Sequence, residues 1–278
     1  MTPSPSWYHS PWTRTVGLDD ELRHLRDWWR HPHRFARARR ALRDHLAGAP
    51  ASVAYAFTLF VTWWTLRGAS ELTGDRLIFS ASTNLANMRR DPIQVLVASA
   101  FWVDGPFPWE FIIVFLVVMA AAERWLGTLR WIFVFASGHI GATLITVTGI
   151  AHAVDRHVIP LRVAVASDVG PSYGISAVLA ALTFRLRGWP RWAWLALLVL
   201  IYGAAMVDGR TFTDYGHVLA LLIGLMIGAV ASFGSRRIER ALGRSGSDGI
   251  GGGGAVALDQ TDQGLDEPGR DRTEYRHQ

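Results

Sequence analysis

Cysteine is absent from the 278 residues, which removes thiol nucleophiles, disulfides, Cys-ligated zinc and iron–sulfur clusters together. Lysine is absent as well, so all 28 basic side chains are arginine. Charge of either sign is scarce between residues 51 and 235, where it gathers between long uncharged stretches. Those stretches are too long and too apolar for the core of a water-soluble domain of this size. Arginines that flank apolar runs, rather than forming one basic face, argue against nucleic acid as a partner. The composition points to an all-α, polytopic membrane protein whose first partner is the lipid bilayer.

Three regions follow from the distribution of charge. Residues 1–50 form an Arg-rich arm with nine arginines and no small-residue cleavage site after a short apolar run, unlike a signal peptide. Residues 18–46 have the pattern of an amphipathic helix, with Leu22, Leu25, Trp28 and Trp29 on one side; a solvated basic arm that sets topology is the plainer expectation. Residues 236–278, with Gly251–Gly254 and mixed charge, read as a disordered tail. Between them lie six uncharged runs: Ala51–Leu66, Phe111–Ala122, Trp131–Ala151, Val169–Phe184, Trp192–Val207 and Tyr215–Ser235. Several fall short of the ~20 residues a crossing normally takes, and flanking Trp and Arg extend them. A further run, Ile93–Val103, has the length of a re-entrant or interfacial helix.

Arginine counts orient the six spans. With the N-terminus inside, the inner segments hold eighteen Arg and the outer ones seven. The positive-inside rule then puts both termini in the cytoplasm and the protein in the inner or plasma membrane.

Polar groups at membrane depth are costly, so each is a functional candidate until explained. Ser172 stands near the start of the fourth run, in Asp168-Val169-Gly170-Pro171-Ser172-Tyr173-Gly174. Ser172, Ser176 and Ala180 form a small-residue row, which alone would suit close helix packing. His217 opens the sixth run, and Ala220, Gly224 and Gly228 follow it on one helical face, again a close-packing row. Spans four and six run in the same direction in this topology. Ser172 and His217 then share a depth near the outer surface, where water for hydrolysis is at hand. His139, in the third run, lies deeper, and a structural hydrogen bond and a catalytic or relay part remain open for it. Asp168, and Thr211 with Asp214, have the placement of helix caps.

These residues resemble the rhomboid family of intramembrane serine proteases, over residues 51–235. Gly170-Pro171-Ser172 is similar to the family's Gly-x-Ser element at the outer end of span four. His217 with Ala220, Gly224 and Gly228 is similar to its span-six element, and Glu123-Arg124-Trp125-Leu126-Gly127 to the Glu-Arg and Gly signature at the inner end of span two. Ile93–Val103 resembles the embedded part of the family's first loop. The resemblance is to a divergent bacterial member and implies a six-transmembrane-helix rhomboid-like bundle. It also implies a Ser172–His217 catalytic dyad, no cofactor or metal, and transmembrane protein substrates cut near the outer face. The chain departs from the family pattern in having Tyr173 directly after the serine, with Gly174 one step later. It also lacks the His and Asn that usually begin span two as oxyanion donors, since Phe107–Ile112 contains neither. Gly170, Tyr173, His139, Asn84 and Asn87 are the remaining candidates for oxyanion binding or support. A rhomboid-like pseudoprotease that binds membrane clients is the alternative, and a small transporter a more distant one.

Overall fold

The structure, a computed structural model, describes residues 34–160, 167–209 and 211–248, together with 22, 23, 26, 27 and 163. Leu25, Trp28 and Trp29, and the tail with Gly251–Gly254, lie outside the described residues. The chain divides into two compact units, Met1–Ile238 and Glu239–Gln278. The described part of the second is the helical stretch from Glu239 to Asp248, and the site lies in the first.

All regular structure among the described residues is helical. In chain order the helices are α1 (Arg34–Ala47), α2 (Pro50–Gly68), α3 (Glu71–Ala81), α4 (Leu85–Arg90), α5 (Pro92–Phe101) and α6 (Trp109–Ile113). A π-helical stretch (Val114–Met119) and α7 (Ala120–Leu126) follow, then α8 (Thr128–Asp155), α9 (Ser172–Leu182), α10 (Trp189–Asp208) and α11 (Phe212–Asp248).

Each expected apolar run contains helix, though not every one is long enough to count as a crossing by itself. Among the described residues three stretches are long and apolar enough to span a bilayer: Thr128–Asp155, Trp189–Asp208 and Phe212–Gly234. The pair Ala38–Ala47 and Pro50–Gly68, bent by 90°, makes a fourth if taken as one span. By length and composition, three or four crossings are therefore recognised among the described residues, against the six expected. The helix of the fourth run explains part of the shortfall. α9 has 11 residues, which reach only ~16 Å. Nearly all of its side chains are buried by its neighbours, so protein rather than lipid determines its length. The outer surfaces of the other helices carry Phe57, Val117, Phe133, Leu200, Met226 and Val230 exposed, a display suited to hydrocarbon and hazardous in water.

The core is aromatic at its centre. Tyr55 of α2 stacks on Phe115 with ring centroids 4.3 Å apart, and Trp131 and Phe135 of α8 stack at 5.2 Å. Leu59, Met119, Val134, Ile175 and Val178 fill the space around them. Polar ties fix the ends of the helices. Glu123, 1% exposed, accepts from Ala51 N at 3.1 Å, from Ser52 N at 2.7 Å and Ser52 Oγ at 2.8 Å, and from Thr128 Oγ1 at 2.8 Å. The first-turn N–H groups of a helix have no partner inside it, and here a carboxylate from another helix supplies one. At the same end, Arg185 Nη2 donates to Trp125 O, and His45 of α1 lies 3.1 Å from Leu116 O and 3.2 Å from Arg124 Nη1.

Candidate active site

Gly170 sets the local geometry ahead of Ser172. Its φ of +126° lies where side chains are disfavoured, so the chain can turn here only because the residue is glycine. Pro171 is next, lacks an N–H and serves as the N-cap without a side-chain hydrogen bond. Ser172 is therefore the first residue of α9, half-buried, beside first-turn N–H groups that no side chain caps. Asp168 does not cap this helix, contrary to its expected role. Its carboxylate instead accepts from Tyr173 Oη at 2.8 Å, while its carbonyl accepts from Thr83 N at 3.0 Å and Thr83 Oγ1 at 3.1 Å. Burial raises the Asp168 pKa from the ordinary carboxylate value, opposed by the Tyr173 hydrogen bond and the His217 charge.

α11 begins with a capping box. Thr211 N and Oγ1 donate to Asp214 Oδ2 at 2.8 and 2.7 Å, and Asp214 N donates to Thr211 Oγ1 at 3.3 Å. His217 follows within the first two turns. It sits between two tyrosines: its ring meets Tyr173 nearly edge-on at 5.1 Å and 81°, and Tyr202 of α10 at 5.9 Å. Among the described residues no hydrogen bond joins Ser172 Oγ to His217.

The row after His217 packs against α9. A β-carbon on Gly216 would overlap the Tyr173 phenol, one on Gly224 would overlap the Ala177 carbonyl, and one on Gly228 would press on Phe184 and Ala181. Ala220 is fully buried against Tyr173 and Ala142. Contacts that rise together along both sequences mean that α9 and α11 run parallel, with Ser172 and His217 at the same end of the pair. The face of α9 that receives the glycines is Tyr173, Ala177 and Ala181, one residue round from the Ser172–Ser176–Ala180 row. Ser176 turns the other way, its Oγ 2.7 Å from Tyr202 Oη on α10 and donating to Ser172 O at 2.8 Å.

The other candidates lie in the surrounding shell. Asn84 is the N-cap of α4, its side chain accepting from Asn87 N at 2.9 Å, and its Nδ2 is buried without a partner. Asn87 Nδ2 donates to Phe79 O and to Ser82 O. His139 is 4% exposed, with Nε2 3.1 Å from both Ser99 Oγ and Leu96 O of α5. Two residues and one contact near the site carried no sequence signal. Ser99 looks like one more small residue in an apolar run. Tyr202 has no motif around it, and the Asp168–Tyr173 bond spans a loop-to-helix junction that no helical spacing describes.

Comparison with known proteins adds one finding. A family model described as rhomboid-like protein matches residues 44–234. No curated protein and no solved structure matches the chain. The chain belongs to the rhomboid-like protein family and is a multi-pass membrane protein.

Proposed function

We propose that this rhomboid-like protein is an intramembrane serine endopeptidase in which Ser172 is the nucleophile and His217 its base. The observation that carries this reading is the parallel packing of α11 on α9 through Gly216, Ala220 and Gly224, with Ser172 and His217 at one end of that pair. Ser172 Oγ attacks the scissile carbonyl carbon as His217 takes the hydroxyl proton. The oxyanion that forms is held by the uncapped N–H groups of the first turn of α9. Collapse returns the proton from His217 to the leaving amine, and water then hydrolyses the acyl-enzyme with His217 again as base. Tyr173 and Tyr202 hold the imidazole ring by packing on it. The substrates are membrane-spanning proteins, cut near the outer face by an enzyme with six spans and both termini on the cytoplasmic side.

One observation favours a second reading, a pseudoprotease that binds membrane clients. Ser172 and His217 are not hydrogen-bonded, and the start of α6 carries neither a His nor an Asn as oxyanion donor. Hydrogen bonds of this kind are often long in unliganded sites and tighten with substrate, so the protease reading is preferred.

A fluorophosphonate probe on native membranes decides between them. Labelling forms an Oγ–P bond at Ser172, expels fluoride and delivers the proton to His217. The expected result is slow labelling that Ser172→Ala and His217→Ala abolish and Ser176→Ala retains. A folded, membrane-embedded protein that no such probe labels is a pseudoprotease.

A further inference from the structure

A buried chain of contacts links His139 to the turn before Ser172. The carbonyl of Leu96 can only accept, which assigns the His139 proton to Nε2, shared between Leu96 O and Ser99 Oγ at 3.1 Å each. Ser99 is fully buried near the C-terminal end of α5, and its own carbonyl accepts from Gly170 N at 2.7 Å. Gly170 is the left-handed turn residue two positions ahead of Ser172. The α8 helix that carries His139 is also pressed against α9: a β-carbon on Gly138 would overlap Ala177 and lie 3.3 Å from Tyr173 O.

We propose that His139 is a positioning residue for Ser172: through Nε2 it pins Ser99 and Leu96 at the end of α5, and the Ser99 carbonyl in turn fixes the Gly170 turn from which Ser172 projects. As a statement about catalysis this rests on the protease reading above. The anchor itself is independent of it.

Three physical points support the assignment. The last turn of α5 is tied to α2 through the Ala100 and Phe101 carbonyls, which accept from Tyr55 Oη and Thr62 Oγ1, and to α8 through Ser99 and His139, so the histidine supplies the tie on the side that faces Gly170. The Gly170 N–H is the last backbone donor before Pro171 and Ser172; the turn's other ties, Asp168 N to Ser82 Oγ and Thr83 N to Asp168 O, lie two residues further from the serine. Ser99 makes the link with both its groups, hydroxyl to His139 and carbonyl to Gly170. The chain is therefore short: ring, one residue, turn.

Hydrogen exchange and labelling kinetics on the full-length protein in detergent test it together. In His139→Ala, the Gly170 amide is expected to exchange about 10-fold faster or more. The maximal rate of fluorophosphonate labelling should fall about 10- to 100-fold, with little change in probe affinity. His139→Gln, whose Nε2 can donate to the same two oxygens, should restore both. A merely structural histidine would lower stability without that selective rescue of the maximal rate. If His139→Ala folds poorly, Ser99→Ala keeps the carbonyl to Gly170 while removing the hydroxyl, and a smaller change in the same two directions is expected.

Unchanged Gly170 exchange in a folded His139→Ala protein overturns the proposal, whatever the labelling does. Accelerated exchange with parental labelling rates overturns it too, because Ser172 would then be placed by other contacts. If the parent protein is never labelled, the exchange result still decides the anchor, and it is the protease reading that fails.

Discussion

Glu123 is a buried carboxyl group and Asp168 a half-buried one, and they do opposite work. Glu123 collects four donors from α2 and α8, so removing it strands the buried N–H and hydroxyl of Ser52 and frees the partly buried Ala51 N–H and Thr128 hydroxyl. Leaving such groups unpaired costs about 1–3 kcal/mol apiece, and Glu123→Ala should lose at least about 3 kcal/mol in reversible unfolding from detergent micelles. A loss below about 0.5 kcal/mol would mean that water replaces the carboxylate. The Asp168 carboxyl has Tyr173 as its nearest side-chain donor, and burial outweighs the hydrogen bonds of Tyr173 and Thr83 to raise its pKa above the ordinary carboxylate value. A carboxyl with a raised native pKa favours the fold while protonated and loses that contribution as pH rises from the unfolded pKa through the native one. Asp168→Asn keeps an acceptor for Tyr173 without the charge. Its melting temperature relative to the parent should therefore climb between about pH 4 and pH 7, the window that opens at the unfolded carboxylate value. A constant difference across that range would show that Asp168 is solvated in the native state.

At the scale of helices, the contact between α9 and α11 shows what spacing can and cannot convey. The Ala220, Gly224 and Gly228 row is legible in the sequence because only one face of α11 offers small residues at that interval. Its counterpart on α9 was not, since Ser176, Ala177, Ala180 and Ala181 are all small and two adjacent rows look alike. The choice falls on the row with Tyr173, whose ring fills the gap above Gly216 and beside Ala220 and His217. His139 was conspicuous in the sequence as a polar residue at membrane depth, but its partner Ser99 comes from a separate short helix that no periodicity connects to α8. Long-range pairing of that kind is a tertiary fact. The glycine contact gives a graded test. The obstacle at Gly224 is backbone, the Ala177 carbonyl, so even Gly224→Ala forces α9 and α11 apart and Gly224→Leu should cost about 1–3 kcal/mol or more. Gly203 on α10 has nothing within 4 Å of an added β-carbon, and Gly203→Ala should be neutral or stabilising by up to about 1 kcal/mol. Equal thermal stability of the Gly224 and Gly203 variants would place the α9–α11 contact elsewhere.

The polar ties also sort the helix ends of the whole molecule into two sets. One end gathers the start of α2, the end of α7, the start of α8 and the chain after α9, joined by Glu123 to Ser52 and Thr128 and by Arg185 to Trp125. α1, from the described part of the basic arm, meets that end through His45, which lies 3.2 Å from Arg124 Nη1. The other end gathers the Ser82–Thr83 junction, the turn at Asp168–Gly170, and the starts of α9 and α11. α10 returns to it antiparallel to α9, since Trp194 Nε1 donates to Leu179 O and Tyr202 meets Ser176 further along. Arg124, Arg130, Arg185 and Arg191 all fall at the arm end, while Ser172 and His217 stand at the opposite one. Arginine near a membrane surface favours the cytoplasmic side. A reporter fused to the C-terminus should therefore be cytoplasmic. One inserted at Val158, an exposed residue between α8 and the Asp168 turn, should lie outside. Glycosylation or alkaline phosphatase fusions read both positions. A cytoplasmic signal from Val158 would invert the molecule and put the Ser172 end on the inner face, with any substrate cut from that side.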